Sequence, residues 1–235
     1  MTGRSNDGDR PGGALTDRVR TDLLDRIGRT IRLMGDSFVS RQQLVHESRK
    51  NIKKLRAGLR LLADAARLDL QKLDEDCAEV ARGLSDLRDC DVAILTTRRL
   101  AEQSPDDTDA ARWREFVARL CSRREELING GVLDPASMRL RVEQLGLVAD
   151  RLPHRGIADA GRERFMTGAK QARKKARKAF ARLQRNPTED SFHRLRKRTK
   201  REFYQQHLLV RIGLRSEDRD LDKLDSLCQN LGDTQ

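Results

Sequence analysis

Apolar residues recur along most of the chain at three- and four-residue intervals, the spacing that gives a helix one buried face. Breaker residues interrupt the pattern at Pro105, at Asn129 to Gly131 with Pro135, at Pro153, and at Asn186 with Pro187. Between them the periodicity predicts helices over 14–36, 42–66, 69–103, 106–129, 136–152, 159–185, 188–213 and 216–232. The expected fold class is all-α, and an all-β architecture is excluded. The breakers suggest a tail at 1–13, an N-terminal bundle at 14–129, a connector with one helix at 130–158, and a C-terminal bundle at 159–235.

The polar faces of two of these helices match. On 42–66, His46, Arg49, Lys50, Lys53 and Arg60 fall within about 100° of arc, while Leu44, Ile52, Leu55, Leu59 and Leu62 fall opposite. The basic row is about 21 Å long at about 1.5 Å per residue. The segment Val45 to Arg56, VHESRKNIKKLR, aligns with Phe192 to Phe203, FHRLRKRTKREF, at an offset of 147 residues. His193, Arg196, Lys197, Lys200, Tyr204 and His207 then share one arc. At the same offset, Leu84-Ser85-Asp86 falls on Leu231-Gly232-Asp233. Two related helical halves are expected, the second incomplete at the C-terminus and open to completion by a second copy of the chain. Thr199 and Glu202 replace Ile52 and Leu55, so the second basic helix has the weaker apolar stripe.

Charge sharpens this picture. The net charge is +12, and residues 170–201 alone hold 14 Lys or Arg against Glu189 and Asp190. A concentrated basic surface points to a polyanionic partner. Lys170, Arg173, Lys174, Arg177 and Lys178 form a further single-sided row. Like charges at i, i+3 and i+4 oppose their own helix by about 0.2 to 0.5 kcal/mol per pair, so such a stack favours a counter-anion over a merely solvated face. Aromatic residues are only 3% of the chain, which argues against the stacking platforms of single-strand nucleic-acid readers.

The motif VHESRKNIKKLR, its repeat FHRLRKRTKREFY, and the segments GLSDLRDCDV and NLGDTQ resemble the CHAD family, the conserved histidine α-helical domain. The resemblance spans about residues 14–235. It implies two four-helix bundles related by a pseudo-twofold axis, a basic central groove that binds inorganic polyphosphate, and association with polyphosphate granules. By position, the family's contact residues fall on His46, Arg49, Lys50, Lys53 and Arg56, and on His193, Arg196, Lys197, Lys200 and Arg201.

Other chemistry is thinner. His46 and His193 sit among Arg and Lys, which suits hydrogen-bond donation to phosphate better than metal ligation. Asp86, Asp89 and Asp91 form an acidic run in SDLRDCD; Asp86, Asp89 and Asp233 read as carboxylates that orient the basic rows, in preference to a magnesium site. No phosphate-binding glycine loop, metalloprotease or nucleophile-elbow motif occurs. The expected function is therefore polyphosphate binding without catalysis, cofactor or metal. The alternatives are nonspecific binding to a nucleic-acid backbone and a metal-dependent polyphosphate or triphosphate hydrolase. Four cysteines without a paired motif, a polar N-terminus and no long apolar run suggest a cytoplasmic protein without membrane contact.

Overall fold

The computed structural model describes residues 11–152, 160–216 and 219–233, the side chains of 11–14 and 233 excepted. Among these residues there are nine helices and no strand: α1 (Pro11–Gly35), α2 (Arg41–Ala66), α3 (Gln71–Arg82), α4 (Ser85–Gln103), α5 (Asp107–Asn129), α6 (Pro135–Arg151), α7 (Arg162–Arg185), α8 (Glu189–Arg211) and α9 (Arg219–Asp233). The all-α expectation holds. The single helix expected over 69–103 is two. Gly83 and Leu84 break it, with Leu84 N–H donating to Ala81 at 3.3 Å in a tightened last turn. Arg141 donates to the Gly83 carbonyl at 3.0 Å, and a Cβ on Gly83 would stand 3.0 Å from the same guanidinium. The side chain of Asp233, expected to orient the second row, lies outside the described residues.

The remaining helix ends follow local chemistry. Asp106 caps α5 by accepting from Thr108 N–H at 2.9 Å. Thr188 and Ser191 cap α8 reciprocally, at 3.2 and 3.0 Å, just after Pro187. Past the end of α8, Gly213 adopts φ +76°, and Leu214 N–H reaches back to Leu209 at 2.9 Å. Arg67 takes the same left-handed position after α2, with φ 56°.

The chain forms two compact units. Unit 1 comprises 1–25, 53–74 and 152–235; unit 2 comprises 26–52 and 75–151. This partition cuts within α1 and α2, where no breaker residue marks a boundary, and therefore differs from one drawn at Pro and Gly.

In unit 2, α4 packs on α5. Asp91 is buried between them and accepts from Arg124 at 2.7 Å, while the Cys90 thiol faces the Leu120 carbonyl at 3.2 Å. In unit 1, α8 packs against α7 and α9, with Ala179, Leu195 and Leu231 in one buried cluster flanked by Leu183 and Phe192. The buried stripe of α7 is Phe165, Gly168, Ala169, Ala172, Ala176 and Ala179, small enough for close approach. A Cβ on Gly168 would lie 3.1 Å from Leu61. Gly58 is tighter still: its Cβ would lie 2.5 Å from Leu23 and 3.2 Å from Leu208, so α1, α2 and α8 meet at a glycine.

Candidate functional site: the basic helix faces

The polar positions of α8 that weaken its apolar stripe are buried nonetheless. Thr199 returns its hydroxyl to the Leu195 carbonyl at 3.0 Å, which satisfies it within the helix. Gln205 donates to the Ala57 carbonyl of α2 at 3.0 Å. Glu202 is buried with Arg173 of α7 at 3.9 Å, and burial pushes its carboxyl above the usual range against the pull of Arg173 and Arg215. The helix is thus fixed by polar contacts on its inner side, which turns its basic arc outward.

The central feature of unit 1 is a cluster of guanidinium groups. Arg56 grips Asp74 with two hydrogen bonds, at 2.9 and 3.1 Å, and Arg60 donates to the same carboxylate at 3.1 Å. Arg201 of α8 is half-buried near them and makes no hydrogen bond or ion pair among the described residues. Its pKa falls to about 10, first through burial and then through the fields of Arg60 and Arg198, with Asp74 opposing and Arg56 adding. Arg56 and Arg60 share the Asp74 carboxylate, and Arg201 stands in the field of both and of Arg198. An anion arriving here meets partly desolvated, prepositioned forks, and its charge relieves their repulsion.

Around the cluster the sequence-predicted residues take distinct positions. Lys53 is exposed, as are Lys170, Arg173, Lys174 and Arg177 on the outer face of α7. Lys170, Lys174 and Arg177 carry no ion pair among the described residues. On α8, Lys197 is exposed and His193 is half-buried. Burial lowers the His193 pKa below its ordinary value, and Lys197 and Arg196 lower it further, so the imidazole is neutral at pH 7. Lys200 lies over the Phe203 ring at 5.7 Å, and His207 packs edge-on against that ring at 4.3 Å, with Tyr204 at 5.6 Å. Phe203 therefore props the C-terminal part of the arc.

In unit 2, His46 and Lys50 flank Glu47 at 3.7 and 3.3 Å. Arg49 is committed elsewhere: its guanidinium donates to the Ala81 carbonyl at 2.7 Å and to the Ser85 hydroxyl, tying α2 to the α3–α4 break. Burial lowers its pKa, partly offset by the field of Asp89 and more weakly by Asp86. These two carboxylates act on Arg49 through the field and form no ion pair among the described residues. The repeat partner behaves alike: an Arg196 nitrogen stands 3.9 Å from where a Cβ on Gly232, the counterpart of Ser85, would be. In each half the Arg of H-x-x-R reaches toward the L-x-D segment.

Asp74 and Arg198 belong to the cluster and were not singled out in the sequence. Asp74 sits across a turn from the Arg residues it holds, and Arg198 falls on the non-basic Asn51 in the repeat alignment. Asp91, considered with Asp86 and Asp89, is taken by Arg124. Among the described residues no group of three or more His, Cys, Asp or Glu stands together as a metal site, and no helix is long and apolar enough to cross a membrane.

These features define an all-helical domain built on two copies of a basic histidine-containing helix. The CHAD domain family model matches residues 29–235, and the chain belongs to that family. Its fold is similar to the crystal structure of the CHAD domain from the plant Ricinus communis, with TM-score 0.63 and 20% identity over 99% of this chain and 78% of that one. No curated protein matches the chain.

Proposed function

We propose that the protein binds inorganic polyphosphate and that the guanidinium cluster of unit 1 is the centre of the site. The observation that carries this reading is Arg201, half-buried among Arg56, Arg60 and Arg198 with Asp74 as the carboxylate gripped beside it. Arg forks engage successive phosphates, Lys53, Lys170, Lys174, Arg177, Lys197 and Lys200 supply point charges along the chain, and His193 donates a hydrogen bond. Arg49 and Arg196 act by holding the basic helices in place. The exposed Lys170, Lys174 and Arg177 on α7, without ion pairs among the described residues, and membership of a family for which polyphosphate binding is general support the same reading. The role is binding, which suits recruitment to polyphosphate granules in the cytoplasm.

The test is titration of long-chain polyphosphate at physiological salt with equal-charge duplex DNA as competitor. Tight binding that DNA does not displace supports the proposal. Equal competition makes the surface a nonspecific polyanion binder. Orthophosphate released from polyphosphate only on addition of Mg²⁺ or Mn²⁺ would replace binding with hydrolysis.

A further inference from the structure

We propose that Cys90 of α4 and Cys121 of α5 are a redox-active thiol pair, which hydrogen peroxide converts into a disulfide that staples these two helices of unit 2 together. All four cysteines are free thiols in the structure. The Cys90 thiol donates to the Leu120 carbonyl at 3.2 Å. That oxygen is three bonds from the Cα of Cys121, so the Cys90 sulfur stands within about 6 Å of this Cα. Three residues further along α5, Arg124 donates to Asp91, the neighbour of Cys90, at 2.7 Å. Cys121 therefore lies between two points where α5 is bonded to α4, and it shares a helix face with Arg124. Rotation about the Cα–Cβ bonds, between staggered wells, then brings the two sulfurs together.

The two thiols differ in the way such a pair requires. Cys121 is half-buried, whereas Cys90 is buried. Burial pushes the Cys90 thiol above its ordinary pKa; the Asp91 carboxylate adds to this, and Arg124 opposes it. Cys90 therefore keeps its proton, and it is the thiolate that attacks an oxidant. Cys121 meets the peroxide first. Its sulfur attacks one peroxide oxygen, the O–O bond breaks, and the products are a sulfenic acid and one water. The Cys90 sulfur then attacks the Cys121 sulfur; the S–O bond breaks, and the hydroxyl leaves with the Cys90 proton as a second water. Two thiols lose two electrons in all, and one peroxide is reduced to two waters. The one fully buried residue of α5 is Ala110, so a covalent tie to α4 restrains a helix that is lightly held.

Treating the full chain with a slight molar excess of hydrogen peroxide tests this, with the remaining thiols alkylated in denaturant and the tryptic peptides mapped by mass spectrometry. Asp89–Arg98 is expected in disulfide linkage to Leu120–Arg123, with Cys77 and Cys228 alkylated. Dithiothreitol should reverse the bond, and the oxidised protein should melt about 5 °C higher than the reduced one. Cys121→Ser should leave Cys90 reduced, whereas Cys90→Ala should stop at a Cys121 sulfenic acid that dimedone traps. The peptide map of the unsubstituted chain decides the matter even where a variant fails to fold. The proposal is overturned if both thiols stay alkylatable after peroxide, if Cys121 goes on to sulfinic acid or to an intermolecular disulfide without linkage to Cys90, or if the oxidised and reduced forms melt alike.

Discussion

Arg201 is the residue at which charge and burial oppose each other most directly. It is half-buried among three other guanidinium groups, and burial and their fields both disfavour its charge; under the proposed function an arriving anion would offset that penalty. Arg201→Met is therefore expected to stabilise the free protein by about 1 kcal/mol, roughly 2 to 4 °C in Tm, while weakening polyphosphate binding at least tenfold. Thermal melts and titration of the same variant check both signs, and a variant that loses stability would show that Arg201 is a structural residue. His193 gives a pH signature. Its folded pKa lies below the unfolded value of about 6.5, so the stability it contributes is complete above pH 6.5 and is lost as pH falls through the folded value. His193→Gln should melt less steeply with acid. A bound polyanion reverses the field of Lys197 and Arg196 and lifts that pKa, so polyphosphate should bind more tightly at pH 5.5 than at 7.5. The variant's affinity should vary less over that range, and an identical pH profile would remove His193 from the site.

At the scale of helices, the fold depends on a few close approaches that side-chain volume controls. Gly58→Ala places a methyl against fully buried Leu23 and against Leu208, and overpacking of this kind costs about 1 to 3 kcal/mol; a lowered Tm with intact helical content is the expected result. In unit 2, Arg124→Ala leaves Asp91 charged and buried between α4 and α5, at a cost of about 3 to 5 kcal/mol by denaturant titration. What the sequence reveals and what it conceals divide along the same line. Helix ends at Pro105 and Pro187 are legible because proline and the caps beside it act locally. The outward row on α7 is legible from helical periodicity alone, whereas on α2 only Lys53 of the predicted row is exposed. The break at Gly83 is masked by uninterrupted apolar spacing, because it is held by Arg141, far off in sequence. Asp74 is hidden for the same reason, being joined to Arg56 and Arg60 by the turn between α2 and α3. On α8, Thr199 and Glu202 read as a weakened stripe, yet tertiary partners bury them: apolar pattern counts atoms, while burial is decided by whether each polar atom finds a partner.

For the whole molecule, the excess of basic charge makes opposite demands on stability and on binding, and ionic strength separates them. The +12 net charge is concentrated in residues 170–201, where cations on α7 and α8 far outnumber acids: Arg194 pairs with Asp190 and Arg173 with Glu202, while Lys170, Lys174 and Arg177 have no ion pair among the described residues. Salt screens the repulsion among these cations, with a Debye length falling from about 30 Å at 0.01 M to about 3 Å at 1 M. The ligand-free protein should therefore melt at higher temperature as potassium chloride rises from 20 to 500 mM. The same salt competes with the ligand, so polyphosphate affinity should fall steeply over that range. At 20 mM salt, polyphosphate at 100 times its Kd should raise stability by about 2.7 kcal/mol, since a ligand of the folded state stabilises it by RT ln(1 + [L]/Kd). The two salt slopes must have opposite signs if one set of unpaired cations both destabilises the free domain and binds the anion. A Tm that falls with salt alongside a falling affinity would mean that the basic rows are already neutralised within the protein, and the charge stack would then be a structural network with no need of a ligand.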